Sequence, residues 1–358
     1  MIKKLLTVFL ISFFCFSLVT CRRWRLTTLK PQKISFIKSG NKIGEVAVQT
    51  DKYGLKDLSF NIKFFHDKIC LTDNLLKRIQ IMNYQNETEL IIGSTKNIKD
   101  ENTKIIDFNF SILGLLDIDK NKNIYIQNKF PQAEQKSSSL KDSNQELIFS
   151  PSYILVFDKE GKLQYTLGQE GISSIPFYDI EKISVDNQGR LFVVSKSFET
   201  FKIFCFQKNK RILTLNLDKL NFNETDYKSK IENVQFFKDQ DQILVSVAFY
   251  YNLRLKYRKI ITYSILERKI LKTIMKIPDP KNVLFNLEKD QFIYLWNIEE
   301  KNEAKFIVYN MEGNIINNVL LDLKNYNSYY SKITTDSLGS FFSYYLTPEG
   351  IQILKWKE

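Results

Sequence analysis

Ile183-Ser184-Val185-Asp186-Asn187-Gln188-Gly189-Arg190-Leu191-Phe192-Val193 holds two β-prone runs on either side of a short polar turn. The branched and aromatic residues suit a pleated surface. Asp-Asn-Gln-Gly between them supplies a turn that tolerates a positive φ, so the stretch reads as a hairpin. A second copy keeps the same order: Leu116-Asp117-Ile118-Asp119-Lys120-Asn121-Lys122-Asn123-Ile124-Tyr125-Ile126. Weaker copies centre on Ile69-Cys70-Leu71, Ile243-Leu244-Val245, Ile293-Tyr294-Leu295 and Phe341-Phe342-Ser343. Their triplets begin at positions 69, 124, 191, 243, 293 and 341, a step of about fifty residues with one longer interval after 124. A period of that size signals a repeat architecture, in which each unit buries its apolar faces only against its neighbours.

Further strands follow within each unit. Third strands are expected at Arg78–Ile81, Ile154–Phe157, Lys202–Phe206, Ile260–Tyr263 and Phe306–Tyr309, and a more exposed fourth at Leu163–Gly168. Four antiparallel strands repeated radially make a β-propeller. The chain is therefore expected to be all-β, a six-bladed propeller with four-stranded blades. The alternatives are a pair of β-sandwiches, or a seven-bladed ring in which the insertion after residue 126 is a degenerate blade. That insertion, Gln132 to Gln145, is polar and aperiodic, and is expected to be a loop. The last unit ends on Gly350–Trp356, its third strand, so its outer strand is expected from the N-terminal side at Lys33–Ile37.

Over residues 154–206 the order of elements resembles NHL-type six-bladed propellers. Val156-Phe157-Asp158-Lys159-Glu160-Gly161-Lys162-Leu163 leads through Gly168-Gln169-Glu170-Gly171 and Pro176-Phe177 to the hairpin at 183–193. Elsewhere the likeness thins, and glycine is missing from the turns Asp239–Gln242 and Glu288–Gln291.

The N-terminus carries a separate message. Lys3 and Lys4 precede an apolar and hydroxyl run from Leu5 to Thr20, the charged and apolar regions of a secretory signal. Leu18-Val19-Thr20-Cys21 resembles the lipobox of bacterial lipoproteins, though threonine before the cysteine is less usual than glycine or alanine. The resemblance implies cleavage after residue 20, lipid on Cys21, and attachment to the cell envelope, at the outer membrane. Residues 1–20 are then a signal peptide, 21–32 a lipidated tether and 33–358 the propeller. The combination is similar to propeller lipoproteins of spirochaetes such as Leptospira, which implies a location and a shape but no particular activity. No second apolar stretch approaches the ~20 residues that cross a bilayer, so the membrane contact expected is the lipid at Cys21.

The formal charge is +12, and removing Lys3 and Lys4 with the signal leaves +10. Lysines are interleaved with acidic residues rather than concentrated, so no nucleic-acid partner is expected. Arg22-Arg23-Trp24-Arg25 is placed to touch anionic headgroups. Cys15 leaves with the signal, and Cys70 and Cys205 fall in different units, where two buried, inert thiols are expected.

Catalytic signatures are sparse. His66 is the single histidine and falls in the turn Phe65–Lys68, a poor place for a base that needs a buried carboxylate to orient it. HExxH, CxxC, P-loop and GxSxG patterns do not occur. Lactonase-like propellers hold calcium on central carboxylates, for which Asp117, Asp119, Asp186 and Asp336 are the candidates here. Their recurrence just before hairpin turns is explained by turn formation instead. The Asn-Glu-Thr segments at 86–88 and 223–225 are read as loops. Phe249-Tyr250-Tyr251, Tyr326 with Tyr329-Tyr330, and Tyr344-Tyr345 either pack between blades or line a recognition surface. The reading is a monomeric, non-enzymatic binding scaffold for a protein or envelope polymer, without cofactor, metal or catalytic residues. A propeller hydrolase with a central divalent metal is the alternative.

Overall fold

The computed structural model describes residues 26–51, 54–55, 60–94, 100–130, 151–171, 175–197, 200–217, 222, 224, 226–297, 302–326, 331–336 and 338–358. The signal segment, Cys21 and the insertion at 132–145 lie outside them. The chain opens with β1 (Leu26–Lys38) and a small pair, β2 (Thr50–Asp51) with β3 (Gly54–Leu55). The first unit follows: β4 (Phe60–Phe65), β5 (Lys68–Asp73), β6 (Arg78–Asn83) and β7 (Thr88–Gly93), with β8 (Lys104–Asp107) added parallel to β7. The second is β9 (Ile112–Ile118), β10 (Ile124–Lys129), β11 (Ser152–Phe157) and β12 (Leu163–Leu167). The third is β13 (Ile180–Val185), β14 (Arg190–Ser197), β15 (Thr200–Gln207) and β16 (Lys210–Asn216). The fourth is β17 (Lys228–Phe236), β18 (Gln242–Tyr251), β19 (Arg254–Ser264) and β20 (Lys269–Ile277). The fifth is β21 (Asn282–Glu288), β22 (Phe292–Asn297), β23 (Glu303–Asn310) and β24 (Ile315–Asp322), and the last β25 (Ser331–Thr335), β26 (Phe341–Thr347) and β27 (Gly350–Lys357). Strands within each unit pair antiparallel in chain order.

The repeated aspartate explains the hairpins. Asp186 Oδ1 accepts from the amides of Gln188 (2.9 Å) and Arg190 (2.8 Å), and Gly189 takes a φ of 76°. Asp119 does the same for Asn121 and Asn123, and Asp336 for Leu338 and Ser340. Such side-chain acceptors replace water on turn amides and set the reversal. Where glycine is missing, Lys289 and Asp290 adopt positive φ themselves (48° and 55°). The fourth unit has Phe237 at the turn-aspartate position. Its turn amides, Lys238 and Asp239, are capped instead by the Asp290 carboxylate of the next unit (2.7 and 2.8 Å).

Six clusters of buried apolar side chains hold the units face to face. Cys70 and Phe157 share the cluster between units one and two, Val156 and Val193 that between two and three. Phe192 stacks on Phe236 at 4.7 Å between three and four, and Leu244 meets Leu295 between four and five. Phe306 and Phe341 join five to six, and Phe64 stacks on Phe342 at 4.2 Å to join the last unit to the first. Four-stranded antiparallel units packed this way make an all-β propeller. β10 and β11, which flank the polar insertion, pair with each other, so both belong to one unit.

The last unit takes its fourth strand from the N-terminal side, as its missing edge requires. Lys30–Lys38 pairs antiparallel with β27. The strand begins earlier than expected, however. Residues 26–32, assigned above to the tether, belong to β1, and Leu26–Leu29 lies parallel to Asn318–Leu321 of β24. β1 therefore covers the outer edges of two neighbouring units, because Leu29 has an apolar cluster to pack on there. The segment after β1 is clamped onto unit one. The fully buried Arg78 donates to the carbonyls of Asn41 (3.1 Å), Lys42 (2.6 Å) and Glu45 (3.0 Å), Gln80 also donates to Glu45, and Asp73 accepts from the Ala47 amide.

Val193 is fully buried between units, whereas a Cβ on Gly189 would meet nothing within 4 Å. Val193→Asp is expected to cost ~4 kcal/mol or more by burying an unpaired charge. Gly189→Val should cost about 1–2 kcal/mol from backbone strain alone. Urea melts of the two variants check the ranking; a mild Val193→Asp would misplace the strand.

Candidate functional site

The first strand of each unit lies innermost, and β4, β9, β13, β17 and β21 approach their neighbours there. Their outer faces are sheet-paired, so their polar side chains reach across to the next unit. Asn61 donates to the Gly114 carbonyl (3.0 Å), and the Val185 amide donates to Asp117 Oδ2 (2.9 Å). Lys182 donates to the Val234 carbonyl (2.9 Å) and to Gln235. Asn233 donates to Leu284 (2.9 Å), Gln235 to Phe285 (3.2 Å) and Asn286 to Thr335 Oγ1 (2.7 Å). This polar girdle links units one through six around the axis.

Lysines dominate its charge. Lys63 Nζ stands 2.8 Å from Asp117 Oδ1, and Lys238 Nζ 3.8 Å from Oδ2. Lys238 also donates to Ser184 Oγ (3.2 Å) and the Val185 carbonyl. Lys182 also feels Asp117, and Lys332 stands within reach of Lys63, so ammonium groups from units one, three, four and six share this region with one carboxylate. Burial pushes the Asp117 carboxyl up, but Lys63 and Lys238 outweigh it and hold it at about 2. Burial pulls Lys182 down to about 7, helped by repulsion from Lys238 and Lys63 and opposed by Asp117 and Glu181. Lys238 and Lys332 are lowered by burial too, each with Lys63 adding to the effect. An array with more cations than anions, part of it desolvated, favours a bound anion that restores the charge balance.

The sequence reading placed Asp117 with the turn aspartates, and the structure corrects this. Asp119, Asp186 and Asp336 hold turn amides, while Asp117 sits within β9 and faces the axis as the lysines' counter-ion. The error arose because Asp117 and Asp119 point to the same side of a period-two strand, and only the packing of unit three distinguishes their roles. As a divalent-metal set the four aspartates fit poorly. All four accept from backbone amides, and Asp117 has two ammonium groups beside it as well. Among the described residues no three His, Cys, Asp or Glu side chains converge on a common point.

The remaining candidates are structural. His66 is exposed in its hairpin turn with a φ of 52°. Cys70 and Cys205 are free and buried; burial raises both thiols, that of Cys205 to about 12, which keeps them protonated and unreactive. Phe249 and Tyr344 are core residues and Tyr326 packs on Trp356, whereas Tyr251 is exposed and Tyr250 lines a cavity described below. Tyr329 and Tyr330 lie outside the described residues. The lysine array was missed in the sequence because only Lys182 and Lys332 share a repeat position, four residues before Asp186 and Asp336, while Lys63 and Lys238 occupy others.

No protein-family model matches the chain, and no curated protein matches it. Among solved structures it is similar to the β-propeller domain of the trilobed protease from Pyrococcus furiosus, described as having an open velcro topology. The two share 12% identity over 83% of this chain and 81% of that one, with a TM-score of 0.45. The propeller assignment rests on the strand pairing and unit packing given above.

Lys182 gives the axis a measurable pH signature. An unfolded lysine titrates near ~10.4, so between pH 7 and that value the unfolded chain binds the extra proton and stability rises with pH. Lys182→Met removes this contribution. The variant is expected to be more stable than wild type at pH 7, and that advantage should shrink by pH 9. Urea midpoints at the two pH values test this; an advantage that does not change with pH contradicts a depressed Lys182.

Proposed function

We propose that the protein is an exported, lipid-anchored, six-bladed β-propeller that binds an acidic partner through the axial face of its ring. The single observation that carries the binding role is the gathering of Lys63, Lys182 and Lys238 about one carboxylate, Asp117, with Lys332 close enough to Lys63 to be repelled by it. Coulomb attraction at a desolvated cationic axis is long-ranged and tolerant of ligand shape, which suits an acidic polymer or protein surface better than a reaction centre. The ring count is supported by the six clusters that join each unit to the next and the last to the first. Attachment is supported by the signal-like residues 1–20 and by Cys21, and β1 begins at Leu26, so the propeller would stand within a few residues of the bilayer. The cations beside Asp117 weigh against the alternative of a hydrolase with a central divalent metal.

Two arms test this reading. Cys21→Ser should release the protein from the membrane fraction and abolish acyl-chain labelling; retention of both would refute the anchor. Detergent-solubilised protein should bind dextran sulfate in a salt-dependent way and ignore neutral dextran. The double variant Lys63→Gln/Lys332→Gln should weaken that binding at least tenfold, since both residues are solvent-accessible to a polymer. Unchanged affinity in the double variant would remove the axis from the binding site.

A further inference from the structure

A cavity of about 340 Å³ lies where units three, four and five meet. It lies beside a bulge on the inner strand of unit four. β17 and β18 run in register up to Ile231 opposite Val247, then resume at Asn233 opposite Ser246, so Glu232 is an extra residue. Bulges bend the strand and re-aim side chains, often beside a site. Here Glu232 turns to Arg258, whose guanidinium is buried and also donates to the carbonyls of Pro280 (2.7 Å) and Asn282 (3.3 Å). That fixes the guanidinium in the wall and neutralises Glu232.

Two features of the lining are unanswered within the chain. Ser246 is 1% exposed, and its Oγ is buried without a hydrogen-bond partner among the described residues. A buried hydroxyl left unpaired costs about 1–3 kcal/mol, so the site has a standing reason to accept a polar group. The second is charge. Lys230 makes no ion pair among the described residues, and Lys196 has only a loose contact with Glu181 at 3.8 Å, both 38% exposed and therefore weakly coupled. With Glu232 matched to Arg258, the lining keeps an excess of positive charge. Ile231, Val283 and Leu284 supply an apolar surface opposite, and the Tyr250 hydroxyl is held by Glu232 at 3.4 Å, which presents its ring to the cavity.

We propose that this cavity binds a small organic carboxylate. The carboxylate accepts from Ser246 Oγ and is attracted by Lys230 and Lys196, and its apolar part lies on Ile231, Val283 and Leu284. The volume falls at the lower end of small-molecule sites, which limits the ligand to roughly a dozen heavy atoms. An inorganic oxyanion would leave the apolar wall uncovered, and a neutral molecule would leave the lysines unmatched.

Isothermal titration of the detergent-solubilised full-length protein tests this with butyrate, benzoate and phenylacetate as probes. Benzamide and inorganic phosphate serve as controls. At least one carboxylate should bind at one per chain, tenfold or more tighter than benzamide. Ser246→Ala should weaken it at least fivefold while leaving the melting temperature unchanged or higher, because it deletes an unpaired hydroxyl. Lys230→Gln should weaken it threefold or more. The proposal is overturned if none of the three carboxylates binds up to 10-millimolar concentrations (about the weakest useful affinity). Unchanged affinity in Ser246→Ala would overturn it too and leave a buried water as the partner of that hydroxyl. Phosphate binding in preference to all three would overturn the ligand class.

Discussion

The ring depends on one pairing, that of Lys30–Lys38 with β27. Without it the last unit would have three strands and an open edge, and the interface of Phe64 with Phe342 would close over a frayed sheet. Open edges invite pairing with other chains. The pairing joins residues more than three hundred positions apart, so it carries the loop-closure cost of nearly the whole chain. The structure offsets that cost locally. Gln352 donates to the Ser35 carbonyl (2.7 Å), Asn86 to the Phe36 carbonyl (2.9 Å), and Arg78 binds the three carbonyls of the segment that follows. A buried guanidinium bonded to backbone carbonyls is specific in geometry, and it makes the seam between last and first units a defined contact.

Closure also sets the electrostatics of the axis. Lys63 belongs to the unit on one side of the seam and Lys332 to the unit on the other, and Lys63 adds to burial in lowering the preference of Lys332 for a proton. An opened ring would relax that repulsion. Desolvation of Lys182 likewise requires β13 and β17 to stay adjacent, since its ammonium is held by Val234 and Gln235. The cationic axis is thus a property of the assembled ring, with no single unit carrying it.

Much of the fold could be read directly from the chain because its determinants are local. The aspartate at Asp119, Asp186 and Asp336 acts on amides two and four residues ahead, and the triplets at Ile124 and Leu191 are adjacent in sequence to their turns. The outer-strand closure was legible because an incomplete unit at the C-terminus needs a strand, and Lys33–Ile37 offered one. The rest was set at longer range. Residues 26–32 look like a polar tether because their partners, in β24 and β27, lie about three hundred residues away. Asp117 looks like its neighbour Asp119 until Lys63 and Lys238, from other units, are placed beside it. The cavity at Ser246 lies beside a one-residue bulge, and nothing around Glu232 in the sequence marks one.

Native-state hydrogen exchange of the β1 amides tests the closure most directly. Ile37 is fully buried and Lys38 pairs with Gly350, so the account predicts that amides of residues 35–38 exchange only through global unfolding, as slowly as those of Leu191 and Val193 in the heart of unit three. Exchange of residues 35–38 at the rate of an exposed outer strand such as β20, with Leu191 and Val193 still protected, would contradict a ring closed by its own N-terminal strand.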